Sequence, residues 1–224
     1  MRTLCLCGEY FFTRQPEETE INYLEAIMST AKRLPAFEKF IQDLRTAWAA
    51  LPETETRMKR GRDLLAELVK DETMRASCKR WPDTDGGRRN LLFYEDPDYG
   101  FAINGVVHGA ERKGSIHDHA RSWTAYGLLA GTETLERFRR VDDGSKEGYA
   151  KLELESVTEG MPGNVDLVPP FDIHAEQGGP AKSYGLILRS ERVAGKVLQG
   201  NYNLETGAYR RVEGPTNVPY EITG

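Results

Sequence analysis

Gly114-Ser115-Ile116-His117-Asp118-His119-Ala120-Arg121-Ser122-Trp123-Thr124-Ala125-Tyr126-Gly127-Leu128-Leu129-Ala130-Gly131 is the stretch on which the fold of this chain turns. His117 and His119 stand two residues apart, and in an extended strand such side chains project from the same face. Ile116 before the pair, and Trp123, Ala125 and Tyr126 after it, support a strand. Two imidazoles then lie side by side while Asp118 turns the other way. His174 follows Pro169-Pro170-Phe171-Asp172-Ile173, so these two places hold all but one of the 4 histidines in the chain. We read them as a three-histidine metal site inside a β-barrel. The alternative, an adjacent pair of surface histidines, fits less well with flanks that are strand-like and moderately apolar.

The chain has 224 residues, enough for one domain with a helical attachment or for one large all-β domain. Its 30 basic and 35 acidic side chains give a net charge of -5. The basic pairs Lys79-Arg80 and Arg88-Arg89 are short, which argues against nucleic acid or an anionic membrane as the main partner. No apolar run reaches the roughly 18 residues that a membrane span needs. Cys5, Cys7 and Cys78 are odd in number and irregular in spacing, so no disulfide framework is expected. The first residues lack a long apolar segment of the secretory kind, and a reducing, cytoplasmic location is the expectation. Cys5 and Cys7 are too few to complete a zinc site and are read as buried or incidental thiols.

Residues 1–15 show no period, with Tyr10, Phe11 and Phe12 available to pin them to the body. Ile21, Leu24, Ile27 and Met28 then repeat as one helical face. After Pro35, the residues Phe37, Phe40, Ile41, Leu44 and Trp48 form a second apolar stripe, which Pro52 ends. Thr54 or Thr56 is expected to cap a third helix bearing Met58, Leu64, Leu65, Leu68 and Val69. Trp81-Pro82-Asp83-Thr84-Asp85-Gly86-Gly87 marks the change to strands. Eleven short strands are expected between Asn90 and Val212, separated by Gly, Pro and Asp turns, as in a jelly roll or antiparallel barrel. Leu152 and Leu154 alternate with Lys151, Glu153 and Glu155, the pattern of a half-buried strand. The fold expected is mainly β: a jelly-roll barrel, or double-stranded β-helix, with N-terminal α-helices. Residues 1–82 form the helical region packed on the barrel, 88–213 the barrel, and 214–224 an irregular tail containing Pro215 and Pro219.

Neutral imidazoles suit Fe, Ni, Cu and Zn alike, so the residue types do not choose the metal. Three protein ligands leave an octahedral ion with open positions for substrate and dioxygen, and leave zinc with a water for hydrolysis. Asp172 and Glu176 share a face with His174 in an extended segment, as ligands or as partners of an imidazole N–H. Asp118 is expected to face away from the metal, and Glu133 and Glu136 to lie on a solvated face. Arg89, at the start of the barrel, is a candidate to clamp a substrate carboxylate, with Arg121 and Arg189 as others. Trp123, Tyr126 and Tyr184 are placed either in the pocket wall or in the core.

The run from Gly114 through His117 and His119, with Pro169 through His174, resembles the cysteine dioxygenase-type thiol dioxygenases, a branch of the cupin superfamily. Arg89-Asn90-Leu91 resembles the arginine-bearing strand of that family, at a similar distance before the histidine pair. The resemblance implies Fe(II) held by His117, His119 and His174. It implies Arg89 on the carboxylate of a small thiol acid, and O2-dependent oxidation of the thiol to a sulfinate. Thr124 stands where the animal enzymes carry a crosslinked cysteine, so that crosslink cannot form here. Ile187 and Arg189 stand where the family has an orienting histidine and tyrosine; Arg189 is therefore a second candidate for the clamp, and Tyr184 a nearby candidate catalytic group. General cupins also match, but Trp123 and Thr124 replace their usual acidic ligand, which favours a three-histidine class.

Three functions follow as expectations. The first is an Fe(II) oxygenase acting on a small acidic substrate with O2, as a monomer or homodimer. The second is a cupin that binds a metal or small ligand without turnover. The third is another metal-dependent cupin enzyme, such as an isomerase, a hydrolase or a dioxygenase cleaving C–C bonds.

Overall fold

The computed structural model describes residues 33–84 and 89–224. The helical stripe at 21–28, the aromatic cluster at 10–12, and Cys5 and Cys7 lie outside the described residues.

Among the described residues, three helices lead into the sheets: α1 (Pro35–Ala50), α2 (Thr54–Leu68) and α3 (Glu72–Cys78). Pro35 opens α1, where its fixed φ suits the first turn and its missing N–H costs nothing. The expected stripe of Phe37, Phe40, Ile41, Leu44 and Trp48 is the buried face of α1. Neither Thr54 nor Thr56 caps α2: the cap position is Glu53, and the Thr56 hydroxyl donates to the Glu53 carbonyl at 2.8 Å. The short helix α3 was not expected, and Asp71 caps it by accepting from the Met74 N–H at 2.9 Å. No helix among the described residues is long and apolar enough to cross a membrane.

Twelve strands follow: β1 (Arg89–Glu95), β2 (Ala102–His108), β3 (Ile116–His117), β4 (Thr124–Ala130), β5 (Glu133–Arg140), β6 (Leu152–Gly160), β7 (Val165–Val168), β8 (Ile173–Gly178), β9 (Ser183–Arg189), β10 (Leu198–Tyr202), β11 (Tyr209–Glu213) and β12 (Thr216–Pro219). They make two sheets, ordered β12-β1-β2-β9-β4-β7 and β11-β10-β3-β8-β5-β6. From β2 to β9 the chain changes sheet at every step except β5 to β6, which is jelly-roll order, the architecture expected of a cupin. The expected barrel is corrected in one respect: there are two six-stranded sheets, and neither closes on itself. The expected irregular tail is also corrected. Thr216–Pro219 pairs in parallel with Arg89–Leu92, and Pro219 is accommodated because β12 is an edge strand.

Period-two alternation gives the first sheet two unlike faces. Leu91, Phe93, Ile103, Val107, Ala125, Leu186 and Leu188 join the three helices in one apolar core. Their neighbours Asn90, Val106, Thr124, Ile187 and Arg189 line a cavity of about 750 Å³. The alternation expected on β6 fails, since Leu152 is buried but Leu154 is 54 % exposed. β6 is an edge strand, and its pairing slips at Arg137/Phe138, so no layer covers Leu154.

Candidate metal centre

His117 ends β3, and its direct partner across the antiparallel β3–β8 ladder is His174. Cross-strand neighbours on one face sit about 5 Å apart at Cβ, so this register brings two distant histidines together. His119 lies just past the strand, where the chain bends. Ala120 adopts φ +49° and Phe171 φ +62°, both in the left-handed region that side chains disfavour. The Phe171 N–H donates to the Ala120 carbonyl at 2.7 Å, tying the bend after His119 to the bend before His174.

Asp118 holds the bend from behind. It is buried and faces away from the histidines, as the sequence suggested, and it serves as an anchor. Its carboxylate accepts from the Ala120 N–H at 2.7 Å, the Gly200 N–H at 3.0 Å and the Tyr202 hydroxyl at 2.6 Å. A Cβ at position 200 would lie 2.1 Å from the Asp118 carboxylate, so only glycine admits this contact.

The three imidazoles have ring centroids 4.6 to 5.0 Å apart. Each offers a donor atom, and these atoms all lie within 4.8 Å of one another. Nδ1 of His117 donates to the Ser115 carbonyl at 3.0 Å, and Nδ1 of His174 to the Asp172 carbonyl at 3.0 Å. Those bonds fix the tautomer and leave both Nε2 lone pairs free for a cation. The His117 and His119 Nε2 atoms are 3.2 Å apart. Two nitrogens bound at about 2.1 Å to one ion stand roughly 3.0 Å apart at an octahedral angle and 3.4 Å at a tetrahedral one. The His174 Nε2 is fully buried with no hydrogen-bond partner. The cluster is thus a three-histidine site able to coordinate a divalent ion.

The electrostatics agree. Desolvation, helped by His174, pushes His117 down to about 4, and desolvation with Arg189 holds His119 well below its ordinary value. Both are therefore neutral ligands at neutral pH. Burial also opposes charge on His174, but Glu176, whose Oε1 is 3.4 Å from Nε2, outweighs it and favours a proton on Nε2 until a cation takes its place. Burial raises the Glu176 carboxyl, yet His174, His117 and His108 more than offset this and hold it well below the usual range.

Arg189 is 5 % exposed and reaches the same cavity. Its Nη1 donates to the Thr124 hydroxyl at 3.0 Å, and burial draws its pKa down to about 10, leaving the guanidinium charged. Arg89 is exposed at the cavity rim, and the buried residue of that strand end is Asn90. The strand alternation explains this: Arg89 is in phase with Leu91 and Phe93, which enter the helical core. Tyr184 is out of phase with Arg189 and Ile187 and packs against the helical core, so it does not line the cavity. Trp123 packs there too, whereas Tyr126 lines the cavity. Arg121 is a surface residue paired with Glu191 at 3.0 Å. Asp172 contacts Arg137 with its carboxylate.

Glu133, expected on a solvated face, is buried and bound to His108, Tyr126 and Ser183. Sequence reasoning passed over His108. The signal available was its phase with Val106 on β2, which puts it on the cavity side.

No family model matches the chain. No curated protein matches it. Among solved structures, the cupin domain of Schizosaccharomyces pombe Cnp3 aligns at 10% identity and TM-score 0.36, over 46% of this chain and 60% of that one. A Klebsiella pneumoniae protein with a double-stranded β-helix domain aligns at 10% identity and TM-score 0.37, over 61% of this chain and 88% of that one. Oxalate oxidase in complex with the substrate analogue glycolate aligns at 15% identity and TM-score 0.39, over 55% of this chain and 61% of that one. The chain thus spans about three fifths of the Cnp3 domain and of oxalate oxidase.

Proposed function

We propose that this chain is a metal-dependent cupin enzyme acting on a small carboxylate-bearing substrate. The observation that carries the reading is the convergence of three imidazole nitrogens at a cavity that His117 and His119 share with a buried, charged arginine, Arg189. The cavity wall supports an acidic substrate. Its charged side chains, histidines aside, are Arg89, Arg112, Lys113, Arg189, Arg210 and a single carboxylate, Glu176, in a chain whose net charge is -5. Such a wall concentrates anions.

His117, His119 and His174 are the residues that would hold the ion. Bound there, a divalent metal supplies Lewis acidity and open coordination positions, and iron adds dioxygen chemistry. Arg189 receives the carboxylate, because a guanidinium offers paired donors that match it. Thr124 takes one donor and turns the rest of the guanidinium. Ile187 and Val168, beside the polar groups, limit the water around the bound substrate.

A narrower reading has Fe(II) as the ion and a thiol acid, such as cysteine or 3-mercaptopropionate, oxidised by O2 to its sulfinate. It is favoured by the resemblance of the runs at 114–119 and 169–174 to the thiol dioxygenases. We place the protein in the cytoplasm, where the free, buried Cys78 suits a reducing environment. The test is metal analysis of anaerobically purified protein, then oxygen uptake with cysteine, 3-mercaptopropionate and thiol-free carboxylic acids. Stoichiometric metal supports the enzyme. Iron with thiol-dependent oxygen uptake supports the narrower reading, and a bound metal without oxygen uptake removes it.

A further inference from the structure

His108 ends β2 and lines the same cavity as His117 and His119. Glu133, at the start of β5, stands behind it and is 4 % exposed. Glu133 Oε1 lies 2.9 Å from His108 Nδ1 and also accepts from the Ser183 hydroxyl, while Oε2 accepts from the Tyr126 hydroxyl at 2.9 Å. A carboxylate only accepts, so Nδ1 must carry the proton, and the neutral ring then presents its lone pair at Nε2. Burial first, then Glu133 and Glu176, push the Tyr126 phenol well above its ordinary value, which keeps that hydroxyl a donor. Nε2 of His108 makes no hydrogen bond among the described residues. One ring nitrogen is fixed from behind and the other is left at the cavity wall, which Glu176 and Arg112 also line.

We propose that His108, oriented by Glu133, is the proton acceptor of this cavity, taking the proton given up by a thiol, hydroxyl or amine of the bound substrate. The X–H bond breaks with its electron pair left on X, and the proton bonds to Nε2. The imidazolium so formed is offset by the Glu133 carboxylate. The carboxylate orients the ring and stabilises its charge without taking the proton itself. This rests on reading the cavity as a metal-dependent substrate site.

The chain has only 4 histidines, so with a metal on three of them His108 is the one imidazole left to exchange protons. Zinc-loaded protein labelled with 15N-histidine is followed by long-range proton–nitrogen spectra between about pH 5 and 9, with H108Q and H108N assigning the fourth ring. Three rings hold still, and the fourth is the Nδ1–H form. Saturating 3-mercaptopropionate converts it to imidazolium in the wild type, propionate does not, and in E133Q the converted fraction falls at least tenfold. A fourth ring protonated at Nε2, or indifferent to 3-mercaptopropionate while three rings hold still, overturns the proposal alone. Four rings titrating freely overturn the metal centre, and the proposal with it.

Discussion

Thr124 and Arg189 are direct partners across the β4–β9 ladder, and the arginine donates to the threonine hydroxyl at 3.0 Å. The register therefore fixes the guanidinium at the cavity wall, on the opposite face of these two strands from Ala125 and Leu188 in the helical core. R189Q should weaken binding of 3-mercaptopropionate at least tenfold, about 1.4 kcal/mol, with metal content unchanged. R89Q, at the exposed rim, should change it less than twofold. Calorimetric titration of both variants checks this, and the reverse order would move the clamp to Arg89.

The second prediction concerns Asp118. Its carboxylate receives three hydrogen bonds around the bend that carries His119. Loss of hydrogen bonds to a buried charge costs roughly 1.5–3 kcal/mol each, less what water recovers in the vacancy. D118A should lower unfolding free energy by about 2–4 kcal/mol in urea titrations and also weaken metal binding. A variant with full stability and full metal content would show that the bend holds itself.

Cys78 supplies a pH prediction. Burial outweighs Lys79 and Arg75 and pushes its thiol from 9.0 up to about 11. Between those values the unfolded chain releases a proton that the folded chain keeps. Stability from this group is therefore complete below pH 9 and declines as pH rises toward 11, by up to about 1.4 kcal/mol per unit. Urea titrations from pH 8 to 11 should decline more steeply in the wild type than in C78A. Parallel curves would contradict the burial argument.

The edge strand β6 gives a control. Leu154 and Val157 are each 54 % exposed, although the alternation around Leu154 reads as half-buried. L154T and V157T should each change stability by no more than about 0.5 kcal/mol. A loss of 2 kcal/mol or more, the order expected for a core position, would mean that this face is covered in solution.

The fold was largely legible because its signals are local. The apolar stripe of Phe37, Phe40, Ile41, Leu44 and Trp48 is the buried face of α1. The short strands between glycine and proline turns fall close to their observed limits, and their sheet order is that of a jelly roll. The histidine cluster was legible from the spacing of its motifs, although β3 ends at His117 and the bend at Ala120, not strand periodicity, carries His119 to the site. What was missed depends on neighbours distant in sequence. Glu133 reads as a surface residue until His108 and Ser183 arrive from β2 and β9. Arg89 and Arg189 read alike until strand phase is known, since a shift of one residue exchanges cavity and core. Leu154 alternates correctly but has no layer above it, and no feature of its own segment reveals that.

The most direct test is metal stoichiometry on protein purified without oxygen, comparing the wild type with H174A. His174 is fully buried and its Nε2 has no hydrogen-bond partner, so its removal reports on coordination. The account predicts about one metal ion per chain in the wild type and less than a tenth of that in H174A, with the circular dichroism spectrum preserved. Equal metal content in the two proteins, or none in either after loading with iron, zinc, nickel and copper in turn, would contradict it.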